Sequence, residues 1–295
     1  MLRSRTLAGP FAPWSGNPIL TQRDLDGAAP LAVTCTGHAE LVSGPDGRWW
    51  SVFLGCRPFA GEYWTTGRET FLLPVRWTDD GWPVILEHGR RVPYSVPAPA
   101  TIGDSPVPLT GNFTWRDDFR STSLAPGWLM LREPHETWWS LGAPAGRLVL
   151  QARAESLAGR GNPSFLARRV QHARFSAQIR MEPPAGAGVT GGLALFQNED
   201  HYFALGLARQ ADGLALTLTC ADGKPEAVVK RILVPTGGPV DLRVAEDDRR
   251  LSLAWRAGDW QALADADALP VTVQAAGGGL HFTGAVVGVF ARSEP

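Results

Sequence analysis

Few stretches of this 295-residue chain combine residue types that do chemistry with a spacing that suits it. Gly186-Ala187-Gly188-Val189-Thr190-Gly191 has the GxGxxG spacing of a loop that cradles a dinucleotide pyrophosphate. That role needs a strand before the loop, a helix N-terminus after it and an acidic residue about twenty positions on. Here Gly192-Leu193-Ala194-Leu195-Phe196-Gln197 follows and reads as a strand, so a turn between strands is expected instead. Cys35, Cys56 and Cys220 are odd in number, far apart in sequence and lack CxxC or Cys/His metal spacing. They argue against a disulfide framework and fit a reducing compartment. Tryptophan occurs twelve times against three tyrosines. Its flat face with one polar N–H suits the apolar faces of sugar rings as well as protein cores, and core packing is expected for most of the twelve.

Charge and composition narrow the field further. Lys and Arg total 28 against 29 for Asp and Glu, and basic pairs such as Arg90-Arg91, Arg168-Arg169 and Arg249-Arg250 are scattered. No surface that tracks phosphates is expected, so nucleic acid is excluded as a partner. Behind Met1-Leu2-Arg3-Ser4-Arg5 there is no apolar run, because Pro10 and Pro13 follow almost at once. This predicts no signal peptide and no membrane span, and with the sparse cysteine it points to the cytoplasm. Asn112-Phe113-Thr114 then matches a glycosylation sequon by pattern only.

The elements that must position any site read as strands. Plentiful Gly (33) and Pro (24) favour many turns and few helices. From Glu40 to Pro58 two apolar runs flank Pro45-Asp46-Gly47, a hairpin signal in which Gly47 can take the positive φ a tight turn needs. A second hairpin joins Thr70–Trp77 to Trp82–Leu86 through Asp79-Asp80-Gly81. Prolines 93, 97, 99, 106 and 108 then mark a semi-extended linker. Beyond it, alternating runs at 147–152, 175–181, 193–197, 202–208, 214–219, 228–233, 240–244 and 251–255 predict a β-sandwich.

Several segments, in order, resemble glycoside hydrolase family 43 of the β-xylosidase and α-L-arabinofuranosidase kind. The first half contributes Arg3–Phe11, Gly16-Asn17-Pro18-Ile19-Leu20, Thr36-Gly37-His38-Ala39-Glu40, Gly67-Arg68-Glu69-Thr70 and Gly81-Trp82-Pro83-Val84. The second contributes Trp115–Phe119, Pro163–Arg169, Gly192–Asn198 and Phe282-Thr283-Gly284-Ala285, which are similar to the sandwich appended to these enzymes. The resemblance implies an all-β chain: about two blades of a five-bladed β-propeller over 1–92, the linker over 93–112 and a concanavalin A-like sandwich over 113–295.

It also implies inverting hydrolysis of xylo-oligosaccharides or arabinosides, the xylan 1,4-β-xylosidase type of activity. Such chemistry needs a general base and a general acid, two carboxyl groups about 6.5–9.5 Å apart across one sugar. The family's motifs for the base, an auxiliary aspartate and the Glu-Gly-Pro-His-type acid are not found in this sequence, which starts where the acid's blade would be ending. No catalytic residue is therefore assigned, and inactivity of the chain alone is expected. Glu40 and Glu69 are read as structural neighbours of the site. Arg68 matches the arginine that hydrogen-bonds sugar hydroxyls, a task for which its planar fork is suited. His38 matches a channel histidine that is a ligand or near-ligand of calcium, although calcium favours oxygen donors. Phe282 is the expected aromatic at the rim, on a loop by which the sandwich closes the pocket mouth; Trp64 and Trp138-Trp139 are alternatives.

Two blades cannot close a propeller, so unpaired edges and apolar faces are expected over residues 1–90. These would lean on the sandwich, on missing sequence or on a homo-oligomeric partner. The chain also ends soon after Phe290, where a further strand is expected. Two other readings stand beside the glycosidase: a non-catalytic carbohydrate-binding sandwich, and a packing module that has lost its ligand.

Overall fold

The computed structural model describes residues 1–59, 61–97, 111–142, 146–235, 237–276 and 282–294. Linker prolines 99, 106 and 108 and residue His281 fall outside them. Among the described residues the architecture is all-β, with one 3-10 turn, Leu269–Val271. It divides into two units: Met1–Glu62 with Arg68–Phe113, and Tyr63–Gly67 with Thr114–Pro295.

In the first unit β1 (Leu2–Arg3) and β2 (Ala12–Pro13) form a ribbon. Strands β3 (Thr34–Ser43), β4 (Trp49–Cys56), β5 (Glu69–Trp77) and β6 (Pro83–Val84) form an antiparallel meander in that order. A four-stranded meander is the build of one propeller blade. Both predicted turns are present, with Gly47 at φ 75° and Gly81 at φ 79°. Asp46 accepts from the Arg48 backbone N–H (3.1 Å) and pairs with its guanidinium, closing the first turn locally. The core is small: Val33, Phe53, Leu73, Ile85 and Val92, with Phe71 stacked on Phe53. Val42, Trp49, Val52 and Trp77 stay exposed, the two tryptophans meeting edge to face at 5.3 Å.

The second unit opens with β7 (Leu129–Met130), β8 (Trp139–Leu141), β9 (Leu148–Leu150), β10 (Ser164–Arg169) and β11 (Arg174–Met181). It continues through β12 (Val189–Asn198), β13 (His201–Gln210), β14 (Gly213–Asp222), β15 (Ala227–Leu233), β16 (Val240–Asp247), β17 (Arg250–Arg256), β18 (Gln261–Asp267) and β19 (Val286–Ser293). One sheet runs β15-β14-β13-β12-β19-β10-β7 and a second β11-β16-β17-β18, while β8 and β9 pair separately. Leu193, Leu195, Leu205, Leu207, Leu216 and Leu218 of the larger sheet pack on Val240, Leu242, Val244, Leu251, Leu253 and Trp255 of the smaller. The opposite face of the larger sheet is covered as well, with Phe165, Phe196 and Tyr202 against Leu129, Leu131 and Leu157. This double cover explains why Gly192–Gln197 is an unbroken apolar run: both of its faces are buried. The GxGxxG stretch is the connection from β11 into β12, as its strand-like sequel predicts. Val286–Ser293, near the end of the chain, is itself an interior strand between β12 and β10.

Candidate functional site

The end of β3 nearest the candidate residues is irregular. Ser43, Val42, Leu41 and Glu40 face Trp49, Trp50, Ser51 and Val52 in regular register. Continued unbroken, that ladder would set Thr36 opposite Cys56; instead Thr34 faces Cys56 and Gly37 faces Leu54. Each of the two register shifts therefore absorbs one extra residue of β3. Cys35 (φ 53°) lies in the first and His38 (φ 51°) in the second. These are β-bulges with a left-handed residue, devices that turn a side chain out of the regular alternation and cluster near functional sites. His38 is exposed there. The hydroxyls of Thr34 and Thr36 are buried with no hydrogen-bond partner among the described residues.

Arg68 is exposed and immediately precedes β5. Its neighbour Glu69 opens β5 and accepts three hydrogen bonds from the Arg57 guanidinium, two from Nε (2.8 and 3.1 Å) and one from Nη2 (2.5 Å). Arg57 thus fills both carboxylate oxygens in the bidentate manner that Arg geometry favours. Glu40 is exposed on β3. The charge of Arg68 acts on the Cys56 thiol at the end of β4, the strand end that faces the bulges.

In the sandwich, the motifs of the second half converge on one segment. The backbone carbonyl of Thr283 accepts from Gln197 Nε2 (2.8 Å) and that of Gly284 from Arg169 Nη1 (2.6 Å). Val170 N–H donates to the Ala285 carbonyl. Phe282, 45% exposed, stands directly before this anchored stretch. Tyr63–Gly67 belongs to the same unit and is sewn to it. Ala285 N–H donates to the Thr65 carbonyl (2.7 Å), Val273 N–H to the Trp64 carbonyl (3.1 Å), and Gly67 bridges Thr283. A Cβ on Gly67 would lie 2.2 Å from Gly284 N, and one on Gly284 would lie 2.1 Å from the Thr66 carbonyl oxygen. Only two glycines allow this approach, and Gly67 also takes φ 71°.

Glu246 holds the excursion from below. It is buried (2% exposed), and its Oε1 accepts from Thr65 Oγ1 at 2.6 Å, while Oε2 has no partner among the described residues. Burial pushes its carboxyl up to about 8; the Thr65 hydrogen bond opposes this and the nearby Asp248 adds to it. The alternating run read from the sequence stops at residue 244, but β16 continues through Glu246 and Asp247. A signal was present. Val240, Leu242, Val244 and Glu246 share one face of the strand, so the acid stands where the alternation demands an apolar side chain. The excursion itself was missed because Trp64-Thr65-Thr66 is short, without periodicity, and its partners are remote in sequence.

Calcium takes about six to eight oxygen ligands. Among the described residues no three His, Cys, Asp or Glu side chains gather into a metal cluster. His38 with the Thr34 and Thr36 hydroxyls does not meet that demand. Two concavities are also distinct from the candidate residues. One of about 290 Å³ in the first unit is lined by Arg76, Glu87 and Arg90, and one of about 280 Å³ in the sandwich by Arg132, Arg160, Glu199 and Asp200.

A blade-type meander followed by a two-sheet sandwich, with an arginine and a bulged histidine on the meander, defines a propeller-plus-sandwich protein. Residues 1–83 match the family model of glycosyl hydrolases family 43, and residues 116–295 match the β-xylosidase C-terminal concanavalin A-like domain. The chain belongs to glycoside hydrolase family 43. It is 32% identical over 301 residues to the non-reducing end α-L-arabinofuranosidase BoGH43B of Bacteroides ovatus, covering 99% of this chain and 54% of that protein. A xylosidase/arabinosidase of Butyrivibrio fibrisolvens is 33% identical over 72% of this chain and 40% of its own length. The crystal structure of xylan β-1,4-xylosidase from Bacillus halodurans superposes with TM-score 0.85 at 25% identity, covering 99% of this chain and 56% of that one. The chain thus spans about half the length of the relatives it matches.

Proposed function

We propose that this chain carries the scaffold and substrate-contacting parts of an inverting glycoside hydrolase acting on xylo-oligosaccharides or arabinosides, and that alone it binds sugar without cleaving it. The observation that carries this reading is the state of Glu69. It is the carboxylate next to the expected sugar-binding arginine, and both of its oxygens are occupied by Arg57. Inverting hydrolysis needs two carboxyl groups directed across one sugar. Glu69 is committed to Arg57, and Glu40, exposed on β3, has no partner carboxylate in the reading. In this reading Arg68 donates to vicinal sugar hydroxyls, and Phe282 is the aromatic that the family resemblance offers to the sugar. Relatives named for xylosides and for arabinosides support the pentoside class.

Calorimetric titration of the 295-residue chain with xylose, xylobiose and arabinose tests it. Binding is expected, weakened at least tenfold (about 1.4 kcal/mol) by Arg68→Ala. Titrations without heat, or an Arg68→Ala variant of unchanged affinity, would remove Arg68 from this role.

A further inference from the structure

We propose that Cys35 and Cys56 form an oxidisable dithiol, closing to an intramolecular disulfide when a small-molecule disulfide such as oxidised glutathione is present. The geometry comes from the bulge. Cys56 faces Thr34 across the β3–β4 ladder, and the register shift that follows leaves Cys35 as the extra residue. A bulge sets two residues of one strand against one of the other: here Cys35 and Thr36 stand against Gly55, so Cys35 adjoins the Thr34–Cys56 pair on its diagonal. Cys35 is thus the chain neighbour of the residue that faces Cys56, and a disulfide tolerates Cα separations of about 4.4–6.8 Å. The left-handed backbone of Cys35 (φ 53°) turns its side chain out of the regular alternation, and the two thiols interact directly. The pair is asymmetric. Cys35 is exposed, whereas Cys56 is 2% exposed. The Cys56 thiol is pushed up to about 12, by burial first and then by the Cys35 sulfur, with Arg68 pulling the other way.

Exposure assigns the order of events. The Cys35 thiolate attacks one sulfur of the small disulfide and expels its partner as a thiol, leaving a mixed disulfide on Cys35. Cys56 then loses its proton, attacks the Cys35 sulfur and expels the second small thiol. Two protein thiols are oxidised by two electrons, one small disulfide is reduced to two thiols, and the two protons end on those thiols. The new bond ties the bulged end of β3, which leads to His38, to the strand end on which the Arg68 charge acts. It stands independently of the sugar-binding reading.

The test incubates the full chain with excess oxidised glutathione, followed by acid quench, digestion and mass spectrometry. The expected product is a peptide pair joined through Cys35 and Cys56, lighter by two hydrogens and separated again by dithiothreitol. Cys220→Ser keeps this product, and Cys56→Ser halts at glutathione on Cys35. Wild-type protein that halts at that adduct, stays unmodified, or joins Cys220 to either thiol would overturn the proposal. The wild-type digest decides the matter even if a substituted chain does not fold.

Discussion

The two units of this chain are held in contrasting ways. The sandwich buries leucines and valines from two sheets in one continuous core and covers the outer face of its larger sheet as well. The N-terminal unit has Val33, Phe53, Leu73, Ile85 and Val92 at its centre, and leaves Val42, Trp49, Val52 and Trp77 in solvent. Yet the irregular backbone and orphaned hydroxyls around the candidate site lie in that weaker unit, at Thr34, Cys35, Thr36 and His38. The lesson is a division of labour. A well-packed sandwich anchors the segments 63–67 and 282–285, while a thinly packed blade carries bulges that direct side chains. Strain persists where surrounding structure over-determines it; here the β3–β4 pairs on either side of each shift hold the bulges.

The harshest way to break that contrast is Gly284→Ala. Its methyl would overlap the Thr66 carbonyl, so the anchored segment must move or the sandwich must deform. A loss on the order of 4 kcal/mol is expected in chemical denaturation, with faster hydrogen exchange at Thr65 and Ala285. A variant as stable as wild type would mean that this approach does not matter.

Next comes pH. Glu246 has a folded value near 8, above its ordinary 4.5, so its neutral form is the one the fold favours. Its contribution is complete below about 4.5 and is lost as pH rises through about 8. Sandwich stability should therefore fall by a few kcal/mol between mildly acidic and alkaline pH, and Glu246→Gln should flatten that slope. An unchanged slope in the variant would assign the dependence to other groups.

The smallest effect sharpens the other side of the comparison. Val52→Thr on the exposed face of β4 should change stability by less than about 0.5 kcal/mol. If that face associates with a second copy, the same change reduces concentration-dependent sedimentation; equal sedimentation before and after would exclude association through Val52.

Much of this was legible in the amino-acid order. Pro45-Asp46-Gly47 and Asp79-Asp80-Gly81 announce their turns by residue type, and the alternating runs of the sandwich announce their strands by period. The β18 strand escaped because Gln261–Asp267, at an edge position, carries a single large apolar residue, Leu263. The bulges at Cys35 and His38 escaped for a different reason: register depends on backbone conformation, and neither residue demands a left-handed one. Arg57 gave no sign of its bond to Glu69, because that pairing arises only once β4 and β5 lie side by side. Local chemistry is written locally, whereas convergence is a property of the sheet.

The most direct measurement is release of nitrophenol from aryl β-xyloside and aryl α-L-arabinofuranoside by this chain, with binding of the free sugars followed in parallel. The account predicts sugar binding that depends on Arg68 and no release above the buffer rate. Release that saturates with substrate and disappears on changing Glu40 or Glu69 to the amide would contradict it, because the acid–base couple would then lie within these residues.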